Sequence, residues 1–215
     1  MEFDTSFVPA TYEDMHASYV RRLEGINRMG NAHHRKIARN YYLHSLLEVA
    51  GRFPEIFDPR MTVEEPVYIF HHNGALFDGR KEVEGFYRAM ADSDGNVIYS
   101  DDHHFAVADW GFTLEQVSHF YMTAAEFTRK TGHPVEDDDV VYVEHRPTMR
   151  AWPYDMDGRM KGETLYYAQT ATYSRLDPQH ALSPDGVKAV LAPLIDDAWK
   201  DYLANPGPAA GCGTH

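Results

Sequence analysis

Apolar positions recur along this chain with two periods, and the period changes at glycines, prolines and polar clusters. Met15, Tyr19, Leu23 and Ile26 recur at the spacing of one helix face. Thr11, Glu13 and Asp14 precede or open that run, which suits a helix start with acids near the positive end of the dipole. Gly30-Asn31 breaks the pattern. A second helix is predicted from about Ala32 to Ala50, stopped by Gly51. Its apolar stripe is Leu43, Leu46, Leu47 and Ala50, while Tyr41, His44, Ser45 and Glu48 share another face. That face either meets solvent or lines a polar-tipped cavity, and spacing alone does not choose. Phe53 to Pro59 reads as a turn with a short helix, and Arg80 to Met90 as a helix with Val83, Phe86, Tyr87 and Met90 on its apolar side.

Period-two alternation predicts strands at Met61 to Phe70, Ala75 to Asp78, Val97 to Ala108, Leu114 to Phe127, Val140 to Glu144, Thr148 to Tyr154 and Arg159 to Arg175. Pro147 marks a bulge or an edge. Residues 92–96 (DSDGN) and Met156 to Arg159 (MDGR) read as turns, and 128–139 as a charged surface loop. Ser183-Pro184-Asp185 opens a last helix with a strong apolar stripe from Val187 to Tyr202, kinked near Pro193. It either closes a pocket mouth or packs on another subunit. The order predicts an α+β fold, a cone-shaped curved antiparallel sheet with helices on one face, plus the extra C-terminal helix. The expected divisions are a flexible lead at 1–10, a domain at 11–178, a helical extension at 179–204 and a disordered tail at 205–215.

One strand breaks its own pattern. On Met61 to Phe70, alternation puts Val63, Glu65, Val67 and Ile69 on one face. Three of the four are apolar and β-branched, so that face is expected to look inward and take Glu65 with it. A carboxyl among apolar groups has its charged form disfavoured, which makes it a general base or acid near neutral pH. The competing reading is a strand-end Glu turned to solvent by Pro66.

Composition narrows the partners. The chain has 215 residues, with 20 basic against 33 acidic side chains and a net charge of −13. Phosphate binding needs clustered Lys and Arg, so nucleic acid is not expected, nor is an anionic membrane surface. The one cysteine, Cys212, excludes an internal disulfide. No signal peptide and no membrane-spanning run are read, so a cytoplasmic protein is expected.

TVEEP (62–66), with Phe57 upstream and GRKEVEGFYRAM (79–90) after it, resembles the TVEDP segment and following helix of bacterial ketosteroid isomerases. Those enzymes share a cone-shaped fold with nuclear transport factor 2, SnoaL-type polyketide cyclases, scytalone dehydratase and limonene epoxide hydrolase. The resemblance covers roughly Ile37 to Pro178. It implies that Glu65 is the general base and Tyr41 the donor to a developing oxyanion. The isomerases' second oxyanion donor, an Asp, has no counterpart: Thr148, Met149 and Arg150 occupy the matching region. Asp101 to Phe105 (DDHHF), ending in Trp110, resembles the scytalone dehydratase strand that bears a catalytic His, which implies His104 as an acid.

The resulting expectation is a cofactor-independent acid–base enzyme of isomerase or dehydratase type, acting on a small, mostly apolar or aromatic carbonyl or hydroxyl compound. Its catalytic residues would be Glu65, Tyr41 and His104. Its binding residues would be His44, Phe86, His119, Phe120, Arg150, Trp152 and Tyr166, with Arg150 an anchor in place of the missing donor or else a surface ion pair. A homodimer is expected. No metal is expected, because the doublets His71-His72 and His103-His104 lack ligand spacing. The alternatives are a non-catalytic ligand-binding or assembly module, and an epoxide hydrolase or cyclase, which needs an Asp–Arg–Asp arrangement in its pocket that this sequence does not assemble. No GXGXXG, P-loop or GXSXG occurs.

Overall fold

The computed structural model describes residues 2–93, 95–135 and 139–204. Helix α1 spans Tyr12–Asn27 and α2 spans Ala32–Val49. Thr11 and Asp14 close a reciprocal capping box on α1, so the predicted start is where the backbone N–H groups find acceptors. Asn31 caps α2 by accepting from the N–H groups of His33 and His34. Gly51 follows α2 with φ 70°, a left-handed conformation that favours glycine.

The strands are β1 (Thr62–Phe70), β2 (Ala75–Asp78), β3 (Ile98–Ala108), β4 (Gly111–Met122), β5 (Val141–Pro153), β6 (Met160–Tyr167) and β7 (Thr172–Leu176). Between them lie α3 (Arg80–Asp92) and α4 (Ala124–Thr131), and α5 (Pro184–Ala204) ends the described chain. All seven strands form one sheet in the order β2-β1-β6-β5-β4-β3, with β7 extending beside the first half of β5. The sheet is mixed rather than antiparallel, because β1 and β6 run parallel. Four strands and two helices of chain separate them, so no hairpin fixes their relative direction.

The β1–β6 junction depends on one glycine. Gly162 has φ 151°, and a Cβ there would sit 1.9 Å from the Val67 carbonyl oxygen. Gly162→Ala is expected to cost about 3 kcal/mol, from backbone strain and a forced separation of the strands. Urea unfolding reads this as a lower midpoint at unchanged slope.

Several boundaries differ from the sequence expectation. The strand expected to reach Phe127 stops at Met122, because Thr123 accepts a hydrogen bond from the Glu126 N–H and starts α4. The expected loop from 128 is therefore helical as far as Thr131. Pro147 does not interrupt β5; it sits in register opposite Val117. The long strand expected from Arg159 divides into β6 and β7. The lead has no regular structure, yet the Asp4 N–H donates to the Tyr173 carbonyl. The tail at 205–215, Asp94 of the expected turn and residues 136–138 of the expected loop lie outside the described residues.

Helices α1, α2 and α3 cover one face of the sheet. Helix α5 packs on α2 and α1, burying Val187, Leu191 and Ile195. Asn40, fully buried in α2, ties this layer together by donating to the Met61 and Gly158 carbonyls and the Tyr202 hydroxyl. The stripe on α5 is thus covered by its own chain.

Candidate active site

Strand β1 fixes which residues enter the interior, and its phase is opposite to the expected one. Tyr68 and Phe70 point into the core, while Ile69 is exposed. The register against β6 shifts between Thr62 and Val67, and large aromatic side chains fill the interior better than the smaller Val and Ile. Glu65 is therefore exposed. Its Oε2 accepts the backbone N–H of Arg80 at 3.2 Å. Gly79, the cap residue of α3, has no side chain to do so, and Glu65 supplies that acceptor. Glu65 thus caps α3 and is not among the residues lining the hollow or recess described below. Glu65→Gln is expected to change stability by less than about 1 kcal/mol and to leave ligand binding intact, as a thermal shift with and without ligand would read.

Three more expected site residues lie elsewhere. The register of β3 against β4 shifts between Asp102 and His104, turning the His104 side chain outward, where it is 81% exposed and bonded to Glu115. Tyr166 is exposed and stacked on His71. His119 is buried, but its ring nitrogens meet Asp101 and His145, away from the hollow described next.

The interior hollow measures about 410 Å³. Phe70, Phe77, Phe86, Phe120 and Leu165 form its apolar walls, and Glu48, Arg150 and Glu163 provide its charge. Glu48, Ile98 and Arg150 also border an inner recess of about 30 Å³, roughly the space of one water. Tyr41, Arg22, Ser45 and Gln116 line that recess. Trp152 is fully buried behind it, with His44 against the indole at 4.5 Å and Tyr41 at 5.4 Å between ring centres. Of the expected site residues, Tyr41, His44, Phe86, Phe120, Arg150 and Trp152 gather around these two spaces.

The charged groups are unusual for an interior. The Arg150 Nε lies 3.5 Å from Glu163 Oε1, and neither atom has a hydrogen-bond partner among the described residues. Burial pushes Glu48 up to about 7; Arg150 opposes the rise and the Glu163 charge adds to it. Burial also raises Glu163, against the opposing charge of Arg150. Burial works against the Arg150 charge, but Glu163, Tyr167 and Glu48 outweigh it and hold the guanidinium charged. Burial raises Tyr41 well above the usual phenol range despite Arg22, whose guanidinium lies 5.6 Å from its ring centre. Tyr41 is therefore a neutral hydroxyl, able to donate.

His44 faces Glu48 one helical turn away, with Nε2 3.9 Å from Glu48 Oε2. The same Nε2 shares a 2.8 Å hydrogen bond with the Tyr87 hydroxyl, which is 2.8 Å from that of Tyr68. Burial, then Arg150, push His44 down to about 3, so the ring is neutral. The arrangement can accept a proton at Glu48, donate one at Tyr41, and hold negative charge at Arg150.

No known protein-family profile matches this sequence, and no curated protein matches it either. Solved structures do. A SnoaL-like protein assigned as a polyketide cyclase from Shewanella putrefaciens CN-32 superposes with a TM-score of 0.51 at 12% identity, over 78% of this chain and 92% of that one. This is the NTF2-like, SnoaL-like fold. A second SnoaL-like protein assigned as a polyketide cyclase, from Jannaschia sp. CCS1, gives a TM-score of 0.49 at 10% identity, over 65% of this chain and 90% of that one. A protein with a ketosteroid isomerase-like fold from Catenulispora acidiphila, solved with trimethylamine, gives 0.42 at 14%, over 62% of this chain and 85% of that one. NTF2-like sheets carry different interiors, so what this interior does rests on its own residues. Among those described, no helix is long and apolar enough to cross a membrane.

Sequence reasoning did not single out Glu48, Glu163 or Arg22 as residues lining these spaces. Glu48 was within reach, since it shares a helix face with Tyr41 and His44. Glu163 was legible as the alternate neighbour of Leu165 and Tyr167 on β6, whose inward phase sets all three toward the hollow.

Proposed function

We propose that this NTF2-like protein is a cofactor-independent enzyme that moves protons on a small, mostly apolar carbonyl, hydroxyl or epoxide compound held in the 410 Å³ hollow. The observation that carries this is Glu48, a carboxyl facing the hollow and pushed up to about 7, beside a buried guanidinium. Near that pH both its protonation states are populated, so it can take a proton from a C–H or O–H bond and return it in a later step. Arg150, which borders both spaces, stabilises the oxygen that becomes negative, and the Tyr41 hydroxyl serves an oxygen that reaches into the recess. Glu48 here takes the role expected of Glu65.

One further observation favours ring opening of an epoxide by water or by an internal hydroxyl. Glu48, Arg150 and Glu163 form an acid–Arg–acid set, and the recess beside Glu48 has room for a single water. A panel of ketones, alcohols and epoxides tests both routes. Turnover of an epoxide selects ring opening, and turnover of a ketone or alcohol selects isomerisation or dehydration. A ligand that raises the melting temperature without being converted identifies a binding module instead.

A further inference from the structure

A second buried titratable cluster lies on the other side of the sheet, away from the hollow. Asp101 Oδ2 is 2.9 Å from His119 Nε2, and His119 Nδ1 is 2.7 Å from His145 Nδ1. His145 Nε2 is 2.8 Å from Ser174 Oγ, which donates to the Asp4 carbonyl at 2.9 Å. The chain thus runs from a carboxylate on β3, through imidazoles on β4 and β5 and a hydroxyl on β7, to the N-terminal lead. Phe7 of that lead covers both rings, with centroids 4.2 Å from His145 and 5.5 Å from His119.

Counting protons decides the charge of this chain. Ser174 has one hydroxyl proton, and Asp4's carbonyl can only accept, so Ser174 spends that proton on Asp4. His145 Nε2 must then carry a proton and donate it to Ser174 Oγ. A carboxylate can only accept, so His119 Nε2 must donate to Asp101. The contact between the two Nδ1 atoms needs one further proton. Three ring protons on two imidazoles make one positive charge. With two protons, either Asp4 or one ring link loses its donor. With four, two N–H groups collide. We propose that the His119–His145 pair carries a single positive charge and that this charge latches the N-terminal segment, residues 4–7, onto the outer face of the sheet.

The surrounding charges agree with one cation at this point. Asp101 faces the pair from β3 and the Asp4 carboxylate from the lead, while Glu144, on the opposite face of β5 and held by Lys130 and Arg146, adds a more distant negative charge. Burial first, then His119, push His145 down to about 4, against Asp4 and Glu144, so a second charge enters only in acid. The latch is closed in a window bounded below by that second protonation and above by loss of the single proton. Release uncovers the two imidazoles and the edge of β7.

Ring ¹⁵N spectra count the protons, and exchange of the Asp4 amide, corrected for its intrinsic rate, reads the latch through its bond to the Tyr173 carbonyl. At pH 6 the expected spectra show three ring protons. Asp4 protection is expected to fall at least tenfold as the pair loses its proton at higher pH. Asp101→Asn removes the anion at an exposed position and is expected to move that loss to lower pH by about one unit. Ser174→Ala is expected to lower Asp4 protection at every pH and, with no acceptor left for the His145 Nε2 proton, to leave a two-proton pair at pH 6. A two-proton pair at pH 6 with Asp4 still protected overturns the proposal. So does protection that ignores pH, or a midpoint unmoved in Asp101→Asn.

Discussion

Arg150→Met is expected to destabilise the fold by about 3–5 kcal/mol at pH 8, the largest effect on stability for any single side chain of the interior. The guanidinium itself is not a large net source of stability, because desolvating it offsets much of what its pairing returns. The loss comes from what it leaves behind. Glu163 is fully buried 3.5 Å from Arg150, and Glu48 borders both hollow spaces. Without the cation both carboxyls must protonate or stay charged in a place that disfavours charge. The cost therefore shrinks as pH falls and the two carboxyls take up protons. Urea unfolding at pH 8 and pH 5 should show a smaller difference from wild type at pH 5. Removing the partner as well, in Arg150→Met with Glu163→Met, should recover more than half of the loss at pH 8. A single variant as stable as wild type at pH 8 would mean that the interior carboxyls do not depend on Arg150.

Glu48→Gln is expected to lower turnover 10²- to 10⁴-fold on whichever substrate the panel identifies, the span typical of a positioned general base. The amide keeps the shape and loses the basic oxygen. Wild-type activity should rise with pH through about 7 as the carboxylate forms. The same substitution has a stability signature whose sign is fixed. A Glu titrating near 4.5 unfolded and about 7 folded holds its proton longer in the native state. Below pH 4.5 both states are protonated and the group is silent. Between 4.5 and 7 the unfolded chain alone releases its proton, so stability falls by about 3 kcal/mol across that interval. Glu48→Gln removes the fall and should be the more stable protein at pH 8. A loss of activity together with a gain in stability at pH 8 separates a reacting group from a structural one.

The layout of this chain was largely legible because its elements announce themselves locally. Thr11 with Asp14, Asn31 and Gly51 mark helix ends by their own hydrogen bonds or φ preference. The parallel pairing of β1 with β6 was not legible, since no turn between them records it. The site was half legible for a related reason. Helix periodicity places Tyr41, His44 and Glu48 together wherever the helix packs, and that face does turn inward. Strand periodicity gives two faces without saying which is inside. On β1 the Val/Ile face was the more uniform in sequence, yet the Tyr68 and Phe70 face is buried. That phase leaves Glu65 outside along with Ile69, and a shifted register on β3 turns His104 outward. The short likeness around TVEEP pointed to the right fold, while the carboxylate it singled out lies exposed at the start of α3.

Titrating the Glu48 side-chain carboxyl carbon by ¹³C NMR, assigned by its absence in Glu48→Gln, is the most direct measurement of what this interior does. A midpoint near 7 is predicted, moving upward in Arg150→Met as the opposing charge disappears. A midpoint near 4.5, the ordinary value for a solvated Glu, would contradict a base held in the hollow.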